Sequence, residues 1–224
     1  MIKLVILDFD GTLADTRVLI VRTNQEVMRR MNYPVADEAS IVATIGLPLK
    51  ECIPALFPGI SSEAIPGCVL LYREVFESLK TTITPVLFPG VRETLETLHD
   101  SGIMLSVASS RGSESLNAFL REMGIDRYIN YVLGAEDVTH AKPHPEPVLK
   151  TLKGLSVAAP EALVVGDMPV DIQMGLGAGA KTCGVTYGNS NRAALAQAGA
   201  HHIIDSFSEL SACTIRALTS MTIK

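Results

Sequence analysis

Two aspartates, Asp8 and Asp10, bracket a single phenylalanine at the end of the apolar run MIKLVIL. In an extended chain, residues two apart point to the same side, so both carboxylates can face one site while Phe9 turns away. Holding two like charges side by side is costly unless a cation or a proton separates them. Turn-forming propensity accounts for one Asp and for Gly11, but not for two carboxylates around a Phe. Three later stretches also place reactive side chains after apolar runs or in rigid loops. IMLSVAS ends on Ser109-Ser110-Arg111-Gly112, where hydroxyls and free backbone N–H groups suit a phosphoryl oxygen. Lys142 lies in AKPHP, where two prolines disfavour an ordinary helix-surface lysine. VVGDMPVD supplies Asp167 at a strand end and Asp171 in the first turn of a helix opened by Pro169. Either acid alone could be a helix-start residue. With Asp8 and Asp10 they form a set of hard oxygen ligands suited to Mg²⁺, and Lys142 is the cation that offsets them.

The elements that must position these residues follow from periodicity. MIKLVIL reads as a buried parallel strand ended by Gly11. A helix capped by Asp15 or Thr16 follows, with Ile20, Val21, Val27, Met28 and Met31 on its apolar face, ending near Asn32. Further helices are predicted over 37–45, 48–56 and 62–80, with a turn at Gly46-Leu47-Pro48 and no strand from about 17 to 83. Pro85, Pro89 and Gly90 mark the return linker. From there helices at 91–100, 113–123, 145–154, 169–177 and 191–197 alternate with strands at 103–108, 129–133, 161–166, 181–186 and 201–204. A last helix is expected at 207–220. Repeated βα units mean an α/β fold with a doubly wound parallel sheet, Rossmann-like, and residues 16–83 as an inserted helical domain. The core is then 1–15 with 84–224. In such sheets ligands bind beyond the carboxyl ends of the strands, where strand order reverses.

DFDGT at 8–12 resembles the first motif of the haloacid dehalogenase-like phosphatases, and Ser109, Lys142 and GDxxxD at 166–171 resemble the other three in order. The resemblance covers essentially the whole chain. It implies phosphate-ester hydrolysis through an aspartyl-phosphate, with Asp8 as nucleophile and Asp10 as general acid and base. The implied Mg²⁺ ligands are Asp8, the main-chain carbonyl of Asp10, and Asp167, with Asp171 acting through water. Ser109, Ser110 and Lys142 would bind phosphate oxygens, and Thr12 would brace the loop. The helical insertion resembles the family's α-helical cap, with Asp15, Arg17, Gly46, Leu47, Lys50 and Arg73 as substrate candidates. Cap size, IGLPL at 45–49 and FPGV at 88–91 resemble phosphoglycolate phosphatase and its relatives, including a pyrophosphatase. A phosphosugar mutase of the family would carry a basic residue where Leu49 stands, although Lys50 is adjacent. A dehalogenase would not need Asp10. A receiver domain is shorter and lacks the insertion. A non-catalytic regulator on this scaffold would be expected to have lost one of Asp8, Asp10, Lys142 or Asp167.

Other features bound the partners. The 224 residues carry a net charge of −5 and no basic tract, which argues against nucleic acid. No apolar run reaches the roughly 20 residues needed to span a bilayer. Hydrophobic residues make up 47% and mean hydropathy is +0.29, as expected when strands are covered on both faces. Ile2 opens the first strand directly, so no signal peptide is expected. The cysteines, Cys52, Cys68, Cys183 and Cys213, form no CxxC pair, which predicts reduced thiols in a cytoplasmic protein, three of them packed. His201 and His202 are adjacent and cannot share a zinc site easily. His140 and His144 are assigned only loop packing. GLGAGA at 175–180 mimics a dinucleotide fingerprint but follows a helix instead of a strand, so it reads as a helix end and tight turn.

Overall fold

The computed structural model describes residues 1–211 and residue 214. Its centre is strand β1, Leu4–Leu7, all four residues of which are buried. Alternation sends Val5 and Leu7 into one apolar cluster and Leu4 and Ile6 into another, so helices cover both faces of the sheet. Strand β2, Ala14–Asp15, follows, and then four helices: α1, Arg17–Arg30; α2, Glu38–Val42; α3, Leu49–Leu56; and α4, Ile65–Lys80. Strand β3, Val86–Leu87, pairs antiparallel with β2. The chain thus leaves for the helical segment and returns from it through one short two-stranded ribbon. Two-residue strands carry no periodic signal, which is why the ribbon was not expected.

The rest of the chain alternates. Helix α5, Val91–Asp100, leads to β4, Met104–Ala108; α6, Ser113–Glu122, leads to β5, Tyr131–Leu133. Helix α7, Glu146–Leu155, precedes β6, Ala162–Gly166; α8, Pro169–Gly177, precedes β7, Lys181–Val185; and α9, Arg192–Gln197, precedes β8, His202–Ile204. The sheet is six-stranded with order β5-β4-β1-β6-β7-β8. All its pairings are parallel, with Leu7 beside Val107 on one side and Val165 on the other. Strand order reverses at β1, so the crevice opens where β1, β4 and β6 end together.

Helices α1–α4 enclose an apolar cluster of their own, including Val27, Met28, Ile41, Ile53 and Phe57. Phe76 of α4 instead joins the cluster of the sheet, 6.1 Å from the ring of Phe119 on α6. Lys80 also pairs with Glu122 at 2.8 Å across this boundary. The GLGAGA stretch closes α8, and Gly179 turns the chain with φ +75° before β7. Cys52, Cys68 and Cys183 are buried, whereas Cys213 lies outside the described residues. The predicted helix over 207–220 runs past the described residues, which show a 3₁₀ turn at Phe207–Glu209 followed by helical residues at 210, 211 and 214. Of the two capping candidates, Thr16 occupies the N-cap of α1 but its hydroxyl donates to Asp10, whereas Asp15 Oδ1 accepts the Arg17 N–H at 3.3 Å.

Candidate active site

The site is built where hydrophobic strands deliver charge. Burial of all of β1 fixes Asp8, whose backbone N–H donates to the Val165 carbonyl at 2.9 Å. Gly11 then reverses the chain with φ +89°, a conformation that favours glycine. A Cβ on Gly11 would collide with the Asp167 carboxylate and the Asn189 amide, so the missing side chain is what lets the loops meet. Gly166 does the same for β6, because a Cβ there would overlap Asp171.

Asp8, Asp167 and Asp171 converge, each offering a carboxylate oxygen within 4.8 Å of the others. They are 5%, 0% and 1% exposed. Lys142 is buried among them and donates to Asp8 Oδ1 at 2.5 Å and to Asp171 Oδ1 at 2.6 Å. Thr12 Oγ1 donates to Asp167 Oδ1 at 3.0 Å, and the Asn189 backbone N–H donates to Oδ2 at 2.6 Å. Asp171 Oδ2 accepts from the Met168 N–H at 3.1 Å, which ties the start of α8 to the site.

This cluster is short of positive charge. Three carboxylates face one ammonium, which leaves two formal negative charges, the charge of one divalent cation. Burial, reinforced by Asp171, pushes Asp167 up to about 7. Burial, reinforced by Asp171 and Asp167, likewise holds Asp8 well above the usual carboxylate range, although Lys142 opposes the shift. Burial opposes the charge on Lys142, but Asp171 and Asp8 outweigh it and raise the ammonium above its ordinary value. Buried carboxylates forced toward protonation, with oxygen-only donors, fit a hard divalent ion.

Asp10 belongs to a different environment. Its side chain lies outside the three-carboxylate cluster and is gripped by Arg111, with Nε to Oδ2 at 3.1 Å and Nη2 to Oδ1 at 2.6 Å. Thr16 Oγ1 donates to the same Oδ1 at 2.7 Å. Asp8 and Asp10 therefore sit two residues apart with separate partners.

The other predicted site residues are distributed as follows. Ser109 is 7% exposed at the end of β4, and its Oγ accepts from the Arg111 N–H at 3.2 Å. It lines a cleft together with Ser110, Lys142 and Pro48. Ser110 Oγ donates to the Gly46 carbonyl at 2.6 Å, so its hydroxyl joins the helical segment to the sheet. Gly46 faces Met168 and Val170. Lys50 is exposed, and Arg73 is exposed with its guanidinium 3.6 Å from Glu136. Arg17 Nε donates to Asn189 Oδ1 at 3.0 Å and Nη2 donates to the Gly188 carbonyl, so Arg17 supports the loop that holds Asp167. His140 and His144 stack at 4.5 Å, and Glu146 already accepts the backbone N–H groups of Thr139 and His140.

Sequence reasoning assigned no site role to Thr16, Arg111 or Asn189. For Asn189 a signal existed: GNSN at 188–191 follows β7, and strand ends were where ligands were expected. Arg111 stands in the Ser109–Gly112 stretch, where the hydroxyls carry the sequence signal and the arginine does not.

Comparison with known proteins identifies the family. A family model described as haloacid dehalogenase-like hydrolase matches residues 5–185. The chain is 37% identical over 212 residues to "Probable phosphatase IndB" of Dickeya dadantii, covering 94% of this chain and 92% of that protein. It is 30% identical to pyrophosphatase PpaX of Anoxybacillus flavithermus, covering 93% and 95% of the two chains. With phosphoglycolate phosphatase of Salmonella typhimurium it shares 29% over 93% of this chain and 91% of the other. A solved structure from Bacteroides fragilis, assigned to the haloacid dehalogenase-like hydrolases, superposes with a TM-score of 0.88 at 29% identity. The match covers 94% of this chain and all of that one.

Proposed function

The chain belongs to the haloacid dehalogenase-like hydrolases, and we propose that it is a Mg²⁺-dependent phosphatase of small phosphate esters acting through an aspartyl-phosphate on Asp8. The observation that carries this reading is the convergence of Asp8, Asp167, Asp171 and Lys142 at the strand ends, with Asp10 held apart. Asp8, the Asp10 carbonyl and Asp167 would hold the ion, with Asp171 in support. When bound, the ion would offset the charge of Asp8 and the phosphate and orient them.

The chain's own residues divide the remaining work. Lys142 fixes Asp8 through Oδ1, which leaves Oδ2 to attack phosphorus. Lys142 and the Ser109 hydroxyl bind the non-bridging oxygens, where charge builds up. Asp10 gives its proton to the leaving oxygen as the ester bond breaks, then takes one from the water that cleaves the acyl phosphate. Thr12 and the Asn189 N–H keep Asp167 in place. Residues 16–83 would act as the cap over the 1–15 and 84–224 core, excluding water and contacting the leaving group.

Phosphoglycolate is the favoured substrate, on the strength of cap size, the IGLPL turn and the relative of that name. Pyrophosphate is the second reading, because PpaX is as similar over as much of the chain. The test is phosphate release from phosphoglycolate, pyrophosphate, nucleoside monophosphates and hexose phosphates, with and without Mg²⁺. Mg²⁺-dependent release led by phosphoglycolate supports the reading. Release led by pyrophosphate replaces the label, and no release from any ester overturns the phosphatase.

A further inference from the structure

Arg111 is a charged side chain placed where a chain builds hydrophobic contacts. Its side chain is 9% exposed, and that of its partner Asp10 is 13% exposed. The guanidinium carbon lies 5.8, 4.8 and 4.9 Å from the ring centroids of Phe9, Phe119 and Phe76. Phe9 lies in the loop after β1 and Phe119 on α6, whereas Phe76 belongs to α4 of the helical segment. Nη1 also donates to Ser115 Oγ at 3.2 Å, which fixes the plane of the fork. A guanidinium between aromatic faces, with its donors taken by one carboxylate and one hydroxyl, has one orientation to offer.

We propose that Arg111 is the positioning residue for Asp10, and that α4, through Phe76, sets where Arg111 stands. The inference rests on the acid and base role of Asp10 proposed above. As the leaving group departs, the Asp8 Oδ2–phosphorus bond forms, the phosphorus–oxygen ester bond breaks, and the Asp10 proton moves to the departing oxygen. Asp10 is then a carboxylate, and Arg111 and Thr16 already donate to the oxygens on which that charge appears. Since Arg111 stays charged throughout, the stabilisation needs no rearrangement at the moment of transfer. In the second half-reaction the same pair holds Asp10 as the carboxylate that accepts the water proton. Because Phe76 forms one wall of the guanidinium site, the placement of α4 reaches the proton donor through the Arg111 side chain.

The test exploits leaving-group chemistry. An alkyl phosphate needs its leaving oxygen protonated, whereas p-nitrophenyl phosphate expels a stable phenolate without help. In Arg111→Met the expected loss in kcat is about 10- to 100-fold on the alkyl ester and less than about threefold on the aryl ester, at or below the lower end of general-acid effects because Asp10 itself is kept. KM changes little on either, and Arg111→Lys recovers part of the alkyl activity because a single donor replaces the fork. Phe76→Leu, which keeps the Arg111 and Asp10 side chains but removes one aromatic wall of the guanidinium site, shows the same selectivity at smaller size and covers the case in which Arg111→Met fails to fold. Equal losses on both esters in the Arg111 and Phe76 variants would mean a structural role and overturn the inference. Asp10→Asn is the control that separates the two claims. If it too loses both esters equally, the acid role of Asp10 fails; if it is selective and the Arg111 variants are not, only the positioning role fails.

Discussion

The two carboxylates at the end of β1 share a strand but differ in the charge that surrounds them. Asp8 sits among two further buried carboxylates and a single lysine. Asp10, two residues on, is matched one to one by Arg111 and receives a hydroxyl from Thr16. The first environment is short of positive charge and suits a metal ion. The second already has its own cation, whose donors meet the carboxylate that remains once Asp10 has given up a proton. A strand's alternation points both residues the same way, but it is the loops after β4, β6 and β7 and the segment before α7 that make them different.

The largest effect should come from removing the proposed nucleophile. Asp8→Asn is expected to lower kcat by on the order of 10⁴ or more while the protein still folds; steady-state assay of the purified variant checks this. Next comes Lys142→Met, which strips the ammonium that pairs with Asp8 and Asp171. Breaking a buried pair by removing one partner costs roughly 3–5 kcal/mol, which predicts a melting temperature about 10 °C lower together with loss of activity. If differential scanning calorimetry finds that variant as stable as wild type without added metal, Lys142 is not balancing charge and the contrast fails.

A pH series sharpens the same contrast. Burial raises Asp167 to about 7 from its ordinary 3.8. Its folded value therefore lies above its unfolded one, so its favourable contribution is full below about pH 4 and is lost as pH rises through 7. The metal-free protein should lose stability across this window, and Mg²⁺ should restore most at the alkaline end, by at least about 2–4 °C. A Mg²⁺ gain that is flat or largest at pH 5 would contradict the charge-deficit reading. The smallest effects belong to Lys50→Ala and Arg73→Ala. Lys50 is exposed and Arg73 pairs at the surface, where such pairs contribute about 0–1 kcal/mol. Each is expected to change kcat/KM by less than about threefold.

The sequence made the parallel sheet legible because βα alternation is periodic. It made Asp8, Asp10 and Asp167 legible because carboxylates after apolar strands need a reason, Lys142 because two prolines follow it closely, and Asp171 because it opens a helix beside Asp167. It could not show that Lys142 lies between Asp8 and Asp171, since 134 and 29 residues separate the partners. Arg111 was hidden for a related cause: an arginine after a strand reads as a surface residue until Phe9, Phe76 and Phe119 are seen around it. Ser110, read as a phosphate ligand, donates its hydroxyl to the Gly46 carbonyl, a contact between segments that no local pattern announces. Short strands β2 and β3 were missed because two residues carry no period.

The most direct measurement is chemical trapping of the covalent intermediate during turnover with Mg²⁺ and the best substrate of the panel. Acid quench followed by borohydride reduces an aspartyl-phosphate to homoserine, and peptide mass spectrometry locates it. The account predicts homoserine at position 8 and nowhere else. Homoserine at another aspartate, or none during full turnover under conditions that trap a known aspartyl-phosphate, would contradict it.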